Sequence, residues 1–353
     1  MLEFRQKGIQ FRWDEESAEI YKVFPADEPI SLEHVGRLGN RQKPHAQVWA
    51  SKTKKIHGFE DTVADKVVRY SNETEKRYAR TEVENLRKLD HNHIVKFLGY
   101  YVKGQVLGIV MFPVAAYDLD IYLEAPEVDV EMMRPWFGCL TRALQYLHNM
   151  ERPFKHRDIK PANILIDRSG SVFLTDFGIS KQYQSQHDAF TKGDGRYTVK
   201  YAPPKMIHPD DDEKQGLESD IFCLGCVFLE MATVVLGKRL ENMYDHISAS
   251  TGLPAEVEYH RDFNKVSPWV TELCNAVKRQ SEVAEYKRDM VDKSLPMFTR
   301  MINECAVGHG PFVKLDDVCE AVDPISPVPC ESCRFHQVKV CNSLAVHVSR
   351  MLI

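Results

Sequence analysis

The chain lacks any run of residues suited to a signal peptide or a membrane span. Its first twenty residues, MLEFRQKGIQFRWDEESAEI, contain no apolar core of signal-peptide length. The most apolar stretch, Ile221 to Gly237, is short for a span and carries Glu230 inside it, so it reads as a buried core helix. A strong charge of either sign is also missing. Lys and Arg total 46 against 51 Asp and Glu, a net charge of -5, which leaves no basic footprint for nucleic acid. There is no internal repeat and no low-complexity block. The nine cysteines are an odd set scattered through apolar segments, as at Cys139, Cys223, Cys226 and Cys274. They read as reduced core thiols of an intracellular protein, cytoplasmic or nuclear, with no membrane or nucleic-acid partner. Only the tail groups such residues closely, at Cys330, Cys333, His336 and Cys341. That spacing fits no standard zinc finger, and the preceding VDPISPVP favours a loosely ordered tail whose role stays open.

What is present is enough apolar residue for one large domain or two lobes: 43% of 353 residues. From Ser31 to Tyr101 the pattern is strand-rich with one helix. TVADKVVRY alternates, with Val63, Asp65 and Val67 on one face and Ala64, Lys66 and Val68 on the other. ETEKRYARTEVENLRKLD repeats Val83, Leu86 and Leu89 at helical steps, and VLGIVMF returns to strand. After Pro113 helix takes over, with Met133, Trp136, Phe137, Leu140, Leu144 and Leu147 on one stripe. HPDDDEKQGLES and MYDHISASTGLPAEVEYHRDFN read as solvated loops. The expected division is an extension over 1–30, a β-rich lobe over 31–113, a helical lobe over 114–322 and a tail over 323–353. The junction of two such lobes is a natural ligand cleft.

Between two short strands, the stretch FKHRDIKPANILID packs His156, Arg157, Asp158, Lys160 and Asn163 into eight residues, and Asp176-Phe177-Gly178 follows thirteen residues after Asn163. A carboxylate can orient a hydroxyl and take its proton, a lysine can offset phosphate charge, and an amide oxygen with a second carboxylate can hold a hard cation. This pair of motifs resembles the catalytic loop and magnesium motif of the eukaryotic protein kinases, a likeness covering about residues 31 to 320. The resemblance implies an α+β, two-lobed fold that uses ATP and Mg2+. It makes Asp158 the residue facing the acceptor hydroxyl, Lys160 its phosphate-side partner, and Asn163 and Asp176 the metal ligands. It makes Lys66 the lysine on the α- and β-phosphates, paired with Glu82. Val48 and Ala64 above and Leu165 below would enclose adenine, with Met111 as gatekeeper and Val114 offering backbone hydrogen bonds. Arg157 implies regulation through an activation-segment phosphate, with Thr191 the candidate site. Lys160 and Thr198 favour a serine/threonine acceptor. FGCLTRALQYLH and VMFPVAAYDLDIYL are similar to a divergent branch of such kinases found in filamentous fungi.

Two places depart from the pattern. The usual glycines of the phosphate-cradling loop are replaced by Arg41, Lys43 and Ala46, with Gly36 and Gly39 upstream. Glycine lets backbone N–H groups approach phosphates closely; here the cationic side chains either contact phosphate in their place or form an exposed basic loop. Pro203-Pro204-Lys205 stands where the family carries Ala-Pro-Glu, and Gly310 where it carries the paired arginine. Losing both partners avoids leaving one buried charge unpaired. The expectation is therefore a serine/threonine protein kinase acting on a protein substrate, oligomeric state undetermined. The alternatives are a pseudokinase scaffold with weak or no ATP turnover, and a small-molecule phosphotransferase.

Overall fold

The computed structural model describes residues 3–6, 9–14, 19–24, 32–43, 46–52, 62–185, 198–207, 216–248, 257–307 and 313–326. Eight strands come first: β1 (Glu3–Gln6), β2 (Ile9–Asp14), β3 (Glu19–Phe24), β4 (Glu33–Lys43), β5 (Ala46–Lys52), β6 (Thr62–Arg69), β7 (Lys96–Lys103) and β8 (Val106–Phe112). They form one sheet in the order β1-β2-β3-β7-β8-β6-β5-β4. Neighbours are antiparallel except β3 and β7, which run parallel. The segment read as a bare extension thus adds three strands to the sheet. The strand over TVADKVVR is β6, flanked by β5 and β8, and both of its faces are covered: Val63, Ala64 and Asp65 are all buried.

Helix α1 (Glu73–Leu86) crosses between β6 and β7. Asn72 caps it by accepting from the Glu75 amide at 2.9 Å, and Glu73 and Glu75 place negative charge on its positive end. Its inward stripe is Ala79, Glu82, Val83 and Leu86. One carboxylate therefore enters a mostly apolar face and needs a cation or hydrogen-bond donors there.

After β9 (Ala115–Asp118) and the short α2 (Leu119–Leu123), α3 (Val130–His148) buries the stripe read from the sequence. β10 (Phe154–Lys155), β11 (Ile164–Asp167), β12 (Val172–Leu174) and β13 (Lys181–Gln182) then hold the polar loops in small sheets, β11 lying between β9 and β12. The helices that follow are α4 (Pro204–Ile207), α5 (Glu218–Val235), α6 (Leu240–Ser248), α7 (Tyr259–Asp262), α8 (Val266–Lys278), α9 (Glu285–Asp289), α10 (Leu295–Val307) and α11 (Leu315–Val322). α5 is buried along almost its whole length, as its uniform apolarity requires. Phe137, Phe228 and Phe298 join α3, α5 and α10 through ring centroids 5.1–5.6 Å apart.

The expected loop from Met243 to Asn264 is corrected in part. Residues 243–248 are helical, with Met243 and Ile247 on a buried face shared with Leu240, and Tyr259 is fully buried at the start of α7. The polar residues between them disguised a short i, i+3, i+7 stripe.

α5 and α10 approach closely at Gly225, where an added Cβ would stand 2.8 Å from the Cβ of Met301 and 3.2 Å from Cγ1 of Ile302. Alanine there gains about 1 kcal/mol of helix propensity but pushes against a backbone-fixed atom, an overpacking cost of about 1–3 kcal/mol. We expect Gly225→Ala to lower the urea unfolding midpoint. An unchanged or raised midpoint would mean that α10 yields at no cost.

Candidate active site

β6 and α1 bring the first constellation together. Lys66 projects from the face of β6 opposite Asp65, and its ammonium lies 2.6 and 2.7 Å from the two carboxylate oxygens of Glu82. It also reaches Asp176 Oδ1 at 3.1 Å, from a segment far along the chain. Burial by itself would favour the neutral amine. The charges of Asp176 and Glu82 outweigh it and hold the ammonium above its ordinary range. Asn85, one turn-face further along α1, donates to the carbonyls of Phe177 and Ser180, each at 2.9 Å. The helix that presents Glu82 is therefore tied directly to the Asp176-Phe177-Gly178 segment.

The second constellation centres on Asp158. Thr198 Oγ1 donates to its Oδ1 at 2.8 Å; Lys160 Nζ and Asn163 Nδ2 donate to its Oδ2 at 2.7 and 2.8 Å. Lys160 also reaches Thr198 Oγ1 at 2.6 Å. Three donors from two separate segments hold one carboxylate in one orientation. Asn163 uses its amide nitrogen for Asp158, which directs Oδ1 as its ligand-capable atom. The amide of Thr175 donates to the Asn163 carbonyl at 3.1 Å, setting Asn163 beside Asp176.

The loop itself is held from below by Asp220 of α5. This fully buried carboxylate accepts from the amides of His156 (2.7 Å) and Arg157 (2.9 Å) and meets His148 Nε2 at 3.2 Å. Those bonds sustain Arg157 at φ 74°, a left-handed conformation costly for a side chain of that size. Asp176 shares the feature, at φ 67°. His156 is buried against Phe177, with ring centroids 4.6 Å apart. Burial pushes its pKa down, so the imidazole is neutral: Nδ1 accepts from the Asp158 amide while Nε2 donates to the Thr175 carbonyl. Arg157 sends its guanidinium to the Ile179 carbonyl at 3.1 Å.

Thr198 is anchored in turn. It precedes a single turn, Val199–Tyr201, whose Lys200 and Tyr201 both reach Glu230 of α5. Glu230 is fully buried and is met by the phenols of Tyr201, Tyr244 and Tyr259 at 3.0–3.1 Å and by Lys200 Nζ at 3.0 Å. Burial first, and then this carboxylate, push all three phenols above their ordinary range, so they remain donors. Motif reading noticed Thr198 only as a mark of acceptor type and Glu230 only as an interruption in an apolar helix. A buried acid in the middle of such a helix was the available signal, but its tyrosine partners are too distant in sequence to be named from it.

Of the residues expected around adenine, Ala64 and Met111 face one another across β6 and β8 and are buried. Val48 is the register partner of Lys66 on β5. Val48, Val114 and Leu165 are partly buried and pack on the core. Thr191 and Gly310 lie outside the described residues, as do the tail cysteines with His336, and so do the side chains of Arg41, Lys43 and Lys205. The donor set fits magnesium. Asn163 and Asp176 would offer hard oxygens to it, and among the described residues no group of three or more His, Cys, Asp or Glu forms an all-protein metal cage. Magnesium is commonly held by one or two side chains together with substrate phosphates.

Comparison with known proteins agrees with this geometry. The protein kinase domain family matches residues 50–294. The chain is 33% identical over 165 residues to serine/threonine-protein kinase BCK1/SLK1/SSP31 of Saccharomyces cerevisiae, covering 45% of this chain and 10% of that protein. It is 33% identical over 152 residues to mitogen-activated protein kinase kinase kinase 1 of Arabidopsis thaliana, covering 43% and 24%. It is 28% identical over 205 residues to a putative mitogen-activated protein kinase kinase kinase 7-like of Drosophila melanogaster, covering 55% and 50%. The matched part is thus half or less of each of these relatives. The match spans the sheet strand of Lys66, the loop of Asp158 and the helix of Asp220, and the chain belongs to the protein kinase domain family.

Proposed function

We propose that this chain transfers the γ-phosphate of Mg-ATP to a serine or threonine hydroxyl of a protein. The observation that carries the proposal is the orientation of Asp158 by Thr198, Lys160 and Asn163 within the same site as the Lys66–Glu82–Asp176 triad. Phosphoryl transfer asks the protein mainly to position groups and neutralise charge. In this reading Lys66 holds the α- and β-phosphates, Asn163 and Asp176 bind magnesium, and Val48, Ala64, Met111, Val114 and Leu165 enclose adenine. Asp158 aims the acceptor hydroxyl and accepts its proton, while Lys160 offsets the charge on the transferred group. Magnesium held by Asn163 and Asp176 would supply positive charge to offset the charge developing on the transferred group. Residues 31–113 and 114–322 act as the two lobes, with β1–β3 as an added wing on the first. Arg157 is the receiver for a phosphate at Thr191.

An intracellular site of action, in cytoplasm or nucleus, is supported by the six described cysteines, all free thiols. Among the described residues no helix is long and apolar enough to cross a membrane. The intact triad weighs against a scaffold without turnover, because it keeps the lysine charged and aimed by two carboxylates, the buried Glu82 and the partly exposed Asp176.

The test is Mg-dependent phosphate incorporation into a basic protein acceptor and into serine, threonine and tyrosine peptides. Lys66→Met should cut turnover by about 10²–10³-fold, the usual scale for one preorganised electrostatic contact. Labelled tyrosine in place of serine or threonine would overturn the acceptor class. The absence of both incorporation and a thermal shift with Mg-ATP would favour the scaffold.

A further inference from the structure

Directly behind Lys66, on the opposite face of the sheet, lies a second polar cluster that the site above does not use. Asp65 is fully buried on the strand that carries Lys66. His34 of β4 meets its Oδ2 at 2.9 Å, and Tyr101 of β7 donates to the same oxygen at 3.0 Å. The His34 ring stacks on Trp49 of β5, with centroids 4.8 Å apart and planes within 8°, and Trp49 is the register partner of Asp65. Tyr101 reaches Asp65 by lying across β8 at Gly108, where an added Cβ would stand 2.0 Å from its ring. The cluster therefore runs from the edge strand β4 across β5, β6 and β8 to β7. Asp65 Oδ1 and the neighbouring Ser51 Oγ are buried without hydrogen-bond partners among the described residues. Such atoms are tolerated where something else is gained.

We propose that Asp65 and His34 form a rear clamp that holds the β4–β5 hairpin in place over the nucleotide, which makes His34 a positioning residue for Mg-ATP. This rests on the nucleotide reading above. The hairpin is the phosphate-facing loop whose usual glycines are absent, and it begins at the edge of the sheet, where only one neighbouring strand restrains it. Its pairing with β5 slips twice, between His34 and Gly36 and between Leu38 and Lys43. A hairpin so loosely registered gains a fixed height from a hydrogen bond to the central strand. Because Asp65 adjoins Lys66 in the chain, the same bond sets the hairpin relative to the lysine that contacts phosphate. His34 is 36% exposed at its side chain, so its replacement opens no core cavity.

The test uses the full chain and two readouts, steady-state kinetics in Mg-ATP and amide hydrogen exchange of Ala46–Lys52. His34→Ala should raise KM for Mg-ATP by about tenfold or more, the scale of one hydrogen bond to a charged group, and leave kcat within about twofold. Exchange in β5 should accelerate by a similar factor while α5 stays unchanged. His34→Gln, which keeps a donor, should remain near the parent protein. A double variant, His34→Ala with Asp65→Val, removes the buried carboxylate; it should recover thermal stability but keep the raised KM. The proposal is overturned by a His34→Ala KM within twofold of the parent, or by a double variant that restores KM together with stability. If the parent chain transfers no phosphate, the nucleotide reading has failed instead, and unchanged exchange in β5 would then sink the clamp separately.

Discussion

Replacing Asp158 by asparagine is expected to reduce phosphate transfer by about 10³-fold, near the upper range for loss of a positioned acid–base group, with little change in the unfolding curve. The geometry separates the two effects. Asparagine has the same shape, and one of its terminal atoms can still accept from Lys160 and Asn163. At the other, Thr198 faces a donor in place of Oδ1, but its hydroxyl rotates freely and can accept as readily as it donates. The loop therefore keeps its hydrogen bonds. What is lost is the negative charge and the proton acceptor aimed at the incoming hydroxyl. Turnover at saturating Mg-ATP, read beside a urea titration, checks both halves. Activity above a tenth of the parent would remove Asp158 from the role assigned to it.

Much of this site was legible because its chemistry is local in sequence. Asp158, Lys160 and Asn163 lie within six residues, and the strand bearing Lys66 announces itself by alternation. Glu82 lies one helical turn before Leu86 and shares its inward face on α1. What escaped was long-range. Glu230 is satisfied by phenols at positions 201, 244 and 259, a set that only the packing of α5 against α6 and α7 brings together. Asp65 stands in the sequence only as one polar residue between Val63 and Val67 on a face of the strand, with no partner in view. It is buried because Tyr101 of β7 and His34 of β4 reach over it, neither of which a window of eight residues contains. The strands β1–β3 were missed for the same reason. β3 pairs with β7 in parallel across an intervening span of more than seventy residues, and short mixed-charge segments carry no local sign of such a partner.

The second large effect concerns Asp220, which touches no reacting atom and yet governs the loop. Removing it by Asp220→Ala is expected to cost about 3–5 kcal/mol of stability, since the amides of His156 and Arg157 lose a charged acceptor inside the core. Asp220→Asn is the finer probe because it retains shape and one acceptor. Burial alone would raise the pKa of this carboxyl, but the hydrogen bond with His148 and the nearby Lys155 outweigh burial and hold it below its ordinary value of 3.8. The sign follows from proton counting. Between the depressed native pKa and the ordinary one, the unfolded chain binds more protons than the folded chain, so stability rises with pH through that window. The contribution is complete above the ordinary value and is lost as pH falls below it toward the native pKa. Urea midpoints of the parent and Asp220→Asn should therefore differ by a constant amount from pH 7 to about 5 and converge as pH drops below about 4. A gap that stayed constant down to pH 3 would mean that Asp220 contributes shape rather than charge. The variant should also lower kcat more than it raises KM for ATP. Arg157 is held at a positive φ by these bonds, and a relaxed Arg157 would swing the next residue, Asp158, away from Thr198 while leaving Lys66 and Glu82 where they are.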